Sequence, residues 1–292
     1  MKTATRIKLL GDLLSKGELS ASDLARKLYP AAQYSQVSSI YRLVATHYPT
    51  YEKELRIRSE HLRRIRHAAS LRCRVYDKTF FKHWSAAMAW VVGVIASDGC
   101  LYLKNEKPTL EIGSTDKDLV EKIQTLLSTD YKIIVKKTIR DGKQFKDTYQ
   151  LDVYNCPEYF EFFDSLGIGP RKSLSLHLPI IPKEFFWDFL RGYVDGDGSI
   201  CEYPRPLYGT QFQVSIHSGS KDFIVQLSQY IEKELQLRTS VYPSNGTFTI
   251  VFAGKKGQAL GKNLYKNATI ETSLERKYTM FQKWNSIEIR SH

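Results

Sequence analysis

The sequence predicts an α+β protein: two related halves, each running helix, two strands, helix, two strands, helix, behind a small all-α segment. Three observations predict it. Apolar stretches at about 83–97 and 182–196 each run into Asp-Gly, alternating polar and apolar residues follow, and the first fifty residues carry helical periodicity. The boundaries drawn from these signals are 1–78, 79–180 and 181–292.

The leading segment reads as short helices. Ile7, Leu10 and Leu14 recur at helical spacing, and Gly17 marks a stop. Ser20 is expected to cap a second helix, with Asp23 three residues on and a staple between Leu19 and Leu24. Leu24 and Leu28 give it a buried side before Pro30 ends it. A third helix is expected from Ser35 to His47, with Val37, Ile40 and Val44 inward and Gln36, Ser38, Ser39 and Arg42 outward. Helix, turn and a polar third helix is the pattern of a helix-turn-helix DNA reader. A plain three-helix bundle with solvated polar faces shares it. The basic run of Arg56, Arg58, Arg63, Arg64, Arg66, Arg72 and Arg74 that follows suits phosphate contact or a merely solvated helix.

The remainder repeats itself. VVGVIASDGC at 91–100 is echoed by LRGYVDGDGS at 190–199, and LEIGSTDKDLV at 110–120 by VSIHSGSKDFI at 214–224. PRKS, holding Lys172, is echoed by ERKY, holding Lys277. Three landmarks in one order mark an internal duplication. In the second copy, Pro182 is expected as the first helical residue, Gln211–Ile216 and Thr247–Phe252 as strands, and Asp222–Leu235 as the helix between them.

Composition narrows the function. The 292 residues carry 43 Lys and Arg against 31 Asp and Glu, a formal net charge of +12, which favours a polyanionic partner. Residues 1–80 hold 16 basic and 7 acidic residues, so most of the excess sits there. Cys73, Cys100, Cys156 and Cys201 show no C-x-x-C spacing, which argues against a zinc site or a disulfide framework. No secretory signal and no apolar run of about 18 residues is present, so a cytoplasmic or nucleoid-associated protein is expected, with an organelle left open.

The two Asp-Gly stretches resemble the signature of the LAGLIDADG homing endonucleases, single-chain and two-motif in type. Leu190-Arg191-Gly192-Tyr193-Val194-Asp195-Gly196-Asp197-Gly198 follows the nine-letter pattern closely. Val91 to Gly99 is looser, with Ala96 where the other copy has Asp195. The resemblance covers about 81–285. It implies a pseudo-symmetric αββαββα pair forming a DNA-binding saddle, a monomer acting on double-stranded DNA, and no membrane or small-molecule substrate. Gly93 and Gly192 lack a Cβ, so the two motif helices can approach backbone to backbone and bring Asp98 and Asp197 together. Two such carboxylates repel unless a cation lies between them, and hard oxygen ligands suit Mg²⁺, with Mn²⁺ a substitute. The resemblance assigns the metal to Asp98 and Asp197, with the carbonyls of Ser97 and Gly196 completing the shell. Asp195 is assigned to capping or packing. A basic residue beside each centre is implied, Lys172 and Lys277, with Arg171 and Arg276 as rivals.

DNA contact is expected from Arg42, Arg63 and Arg66 in the leading segment, and from Lys104, Lys136, Arg140, Gln211, Gln213 and Arg238 on or near the strands. Tyr102, Lys132, Glu202 and Tyr242 are further candidates. Two other functions share the fold: a non-catalytic DNA-binding regulator, which has no need of the acid pair, and an RNA maturase. An intein is not expected, since the final residues lack a splice-junction Asn.

Overall fold

Leu10, Leu14, Leu24, Leu28, Ile40 and Val44 are all buried together, so the helical spacing seen in the sequence is a packed core. The structure is a computed structural model describing residues 3–30, 36–72, 75–137, 139–140, 143–205, 209–244 and 246–286. It divides into two units, Met1–Arg74 and Val75–His292. In the first, α1 (Thr3–Ser15), α2 (Ala21–Leu28), α3 (Val37–His47) and α4 (Glu52–Arg72) surround that core. Gly17 turns the chain after α1 at φ +68°. Ser20 caps α2 as expected: its Oγ accepts from the Asp23 amide at 3.2 Å, and Asp23 Oδ2 accepts from the Ser20 amide at 3.1 Å. The third helix begins at Val37; the predicted start, Ser35, lies outside the described residues.

In the second unit, α5 (Ala86–Asp98) leads into β1 (Gly99–Lys104), β2 (Lys107–Ser114), α6 (Lys117–Leu126), β3 (Ile134–Lys136), a ribbon of β4 (Ile139–Arg140) and β5 (Lys143–Gln144), β6 (Thr148–Tyr154) and α7 (Pro157–Ser165). The second half repeats this with α8 (Phe186–Asp197), β7 (Gly198–Arg205), β8 (Gly209–Ser218), α9 (Lys221–Leu235), β9 (Val241–Ser244), β10 (Thr247–Ala253) and α10 (Lys255–Leu264), then adds α11 (Glu275–Asn285). Each half forms an antiparallel four-stranded sheet, ordered β1-β2-β6-β3 and β7-β8-β10-β9. The duplication predicted from three short echoes is thus a duplicated sheet.

Side-chain parity follows from the pairing. Leu101, Leu110, Ile112, Leu151 and Val153 point into the helix-covered core of the first half, as do Phe212, Val214, Ile216, Ile250 and Phe252 in the second. One core cluster runs through both halves, and Met88 to Ala96 of α5 are buried without interruption. A helix apolar on every side belongs at a centre.

Two boundaries differ from expectation. The first motif helix starts at Ala86, not at residue 83, and Ser85 caps it, its Oγ accepting from the Met88 amide at 3.1 Å. Pro182 is not helical: it sits at φ −53° and ψ 135°, ahead of a 3-10 turn at Lys183–Phe185. Both motif helices run one residue further than predicted, to the aspartates themselves.

Candidate functional site

The two motif helices meet where neither has a side chain. A Cβ built on Gly93 would lie 2.0 Å from the Phe189 carbonyl oxygen, and one on Gly192 would lie 2.0 Å from that of Trp90. Each is backbone against backbone, so α5 and α8 touch as the glycines alone permit. Asp98 and Asp197 are the last residues of their helices. Gly99 and Gly198 then turn straight into strands, their amides donating to the carbonyls of Ile95 and Val194. A Cβ on either would come within 2.7 Å of those oxygens.

The helix ends abut. A methyl on Gly196 would lie 2.0 Å from Ser97 Oγ and 3.2 Å from Asp98 Oδ2. Burial pushes the Asp98 carboxyl up to about 7, and repulsion from Asp197 adds to it, against the pull of Lys277 and Lys172. Asp197 is raised too, by burial, with Lys172, His217 and Lys277 pulling the other way. The pair therefore sits where two negative charges are costly without a cation.

Lys172 and Lys277 are both buried, which a plain surface lysine is not. Lys277, 1 % exposed, donates through Nζ to the carbonyls of Val194 at 2.6 Å, Asp195 at 2.9 Å and Gly198 at 2.8 Å. Lys172 Nζ donates to the Gly99 carbonyl, the matching place in the first half. Burial lowers both amines, Lys277 to about 8. All three donors of Lys277 are taken by backbone, so its charge acts on the pair from behind. Arg276 is engaged elsewhere, held by Asp116 at 2.8 Å and 3.0 Å. Arg171 stands at φ +59°, ahead of a short turn. Asp195 is fully buried and packs between the halves, its Oδ2 accepting from Trp90 Nε1 at 2.8 Å and the Leu274 amide at 3.0 Å.

The face of each sheet away from the core carries the strand candidates unevenly. Lys104 lies there, its Nζ donating to Tyr154 OH at 3.1 Å, as do Tyr102, Gln211 and Gln213. Lys136 is exposed opposite Thr148. Lys132 is exposed in the connection before β3, and Tyr242 is exposed on β9 opposite Thr249. Arg238 lies in the connection after α9, paired with Glu232 at 2.7 Å. Glu202 is a correction: it has the parity of Ile200 and faces α11, bonded to Lys283 and Trp284. In the first unit Arg42 is exposed on α3, whereas Arg63 is tied to Glu60 by two bonds of 2.8 Å. The side chains of Arg66, Arg72 and Arg140, like all of Arg74, lie outside the described residues.

His217 was missed from the sequence. It is half-buried on β8, hydrogen-bonded through Nδ1 to Thr249 Oγ1 at 2.8 Å, and near enough to Asp197 to affect its charge. The signal was present in the aligned segments, where it stands opposite Gly113.

The family model described as a LAGLIDADG-like domain matches residues 85–167 and 187–259, more than half of the chain. An uncharacterized protein of Methanocaldococcus jannaschii is 24% identical over 160 residues, which is 54% of this chain; the match spans 57% of that protein's length. Among solved structures, the homing endonuclease I-WcaI bound to its DNA recognition sequence is 18% identical, with 68% of this chain and 90% of that one covered and a TM-score of 0.47. I-DmoI in complex with DNA and Mn is 16% identical (63% and 98% covered, TM-score 0.42). The N-terminal LAGLIDADG domain of WhiA is 15% identical (66% and 86% covered, TM-score 0.42). The two aspartate-tipped helices, the two matching sheets and the match over both halves place this chain in the LAGLIDADG-like domain family.

Proposed function

We propose that this protein is a site-specific endonuclease that hydrolyses phosphodiesters on both strands of a long double-stranded DNA target with a divalent metal, Mg²⁺ by preference and Mn²⁺ as a substitute. The observation that carries the proposal is the buried carboxylate pair at two abutting helix ends. A protein that only binds DNA has no need of such a pair. The pair fits a cation through its donors, which are hard oxygens. Open positions filled by water and phosphate oxygens are what Mg²⁺ prefers. A bound divalent ion there supplies Lewis acidity toward phosphate and water.

The chain's own residues have separable roles. Asp98 and Asp197 hold the ion, with the carbonyls of Ser97 and Gly196 as further oxygens. Lys172 and Lys277 brace the carbonyls behind them, and their positive charge acts on the acid pair from behind. The core-distant sheet faces, with Lys104, Lys136, Gln211 and Gln213, lie along the major groove. Two halves in one chain put one centre on each strand, so a monomer suffices. Residues 1–78 act as a helix-turn-helix DNA reader through α3 and Arg42, ahead of repeats at 79–180 and 181–292.

Incubating the protein with a randomised double-stranded DNA library and Mg²⁺ or Mn²⁺, then sequencing the new ends, tests this. Paired cuts within one long, imperfectly palindromic site are expected. Retention of a specific sequence with no new ends under either ion would leave a DNA-binding regulator instead.

A further inference from the structure

We propose that His217 is a catalytic residue of the Asp197 centre, so that the two DNA strands are cut by unlike centres. This rests on the endonuclease reading above. The two halves can be compared position by position. Gly99 pairs with Ile112 on β1–β2, and Gly198 with Ile216 on β7–β8, so Gly113 and His217 occupy the same place. On the next strand Gly113 faces Gln150 and His217 faces Thr249. An imidazole bound to a hydroxyl in one half thus corresponds to a bare backbone and an amide in the other.

The ring is held in relation to its own aspartate. Tyr193, one helical turn before Asp197 on α8, donates its hydroxyl to the His217 carbonyl at 3.0 Å. Thr249 Oγ1 fixes Nδ1 at 2.8 Å, while Nε2 has no hydrogen-bond partner among the described residues. In the strand register His217 stands one step beyond the Gly198–Ile216 pair, on the Asp197 side, and it is among the groups that act on Asp197 while no histidine is among those that act on Asp98. With Nδ1–H donating to Thr249, Nε2 keeps a lone pair. As water forms its bond to phosphorus, its proton passes to Nε2. The bond from phosphorus to the leaving sugar oxygen breaks, and that oxygen takes a proton from solvent. The imidazolium then returns its proton to solvent. The first half has no side chain at Gly113 for this step and relies on solvent.

The test uses a supercoiled plasmid carrying a target recovered from the library, with each strand labelled separately. His217→Gly should slow one strand by about 100-fold, the size of a lost general base, and leave the other within about two-fold, so nicked circles accumulate. Added imidazole should restore that strand alone. His217→Gln, which keeps a partner for Thr249, should show the same one-sided defect, which a merely structural role would not. Equal slowing of both strands, or wild-type rates in the glycine and glutamine variants, would overturn the assignment while leaving the nuclease intact. Failure of the wild type to cut would sink both readings.

Discussion

At the scale of single residues, the acid pair is defined by where its charge sits. The folded Asp98 carboxyl titrates near 7, against 3.8 for an unhindered one. Its folded form therefore holds the proton more tightly than the unfolded chain. Stability from this group is present below about pH 4 and is lost as pH rises through 7. Asp98→Asn removes that loss, so in EDTA the variant should overtake wild type between pH 5 and pH 8, by about 2–4 kcal/mol in chemical denaturation. Saturating Mg²⁺ should close the gap at pH 8 by compensating the charge. A gap that does not change with pH would show that the carboxyl is not strained. The residues of this centre were legible to different degrees. Asp98, Asp197, Lys172 and Lys277 showed because they recur in both halves. His217 did not, because the first half has Gly113 in its place, and a search for repetition passes over what is not repeated.

At the scale of elements, the decisive contact is the crossing of α5 and α8. Its two glycines could be read from the sequence, since no other residue allows backbone contact at 2.0 Å spacing to a virtual Cβ. Gly93→Ala or Gly192→Ala should each cost about 3 kcal/mol or more, because the obstacle is backbone that cannot rotate away. Gly167→Ala is the control: at φ +71° it is strained, but nothing lies within 4 Å, and about 1 kcal/mol is expected. Equal costs in urea denaturation would mean that the helices are not locked together. In the first unit, Ser20→Ala should lose the half of the capping box that the Ser20 hydroxyl makes, and about 1 kcal/mol, while the bond from its backbone amide to Asp23 remains. Other elements were less legible. The β4–β5 ribbon spans two residues on each side, too few to show alternation, and Glu202 was misplaced because a one-residue shift in parity moves a side chain to the other face.

At the scale of the whole molecule, charge and chemistry are divided. The first 80 residues hold 16 basic and 7 acidic residues, while the acid pair belongs to the second unit. The two units have separate cores. A chain starting at Val75 should therefore still cut DNA, but bind it more weakly and with a shallower dependence on salt, since fewer phosphates are neutralised. Unchanged affinity and slope would assign the leading unit another purpose. The central claim is that two helix ends present one acid each to a cation at the DNA. It is tested most directly by measuring binding and cleavage of the same target, in the same Mg²⁺ buffer, for wild type, Asp98→Asn and Asp197→Asn. Both variants should bind within a few-fold of wild type, with cleavage reduced by at least about 1,000-fold. Wild-type cleavage by either variant would contradict the claim.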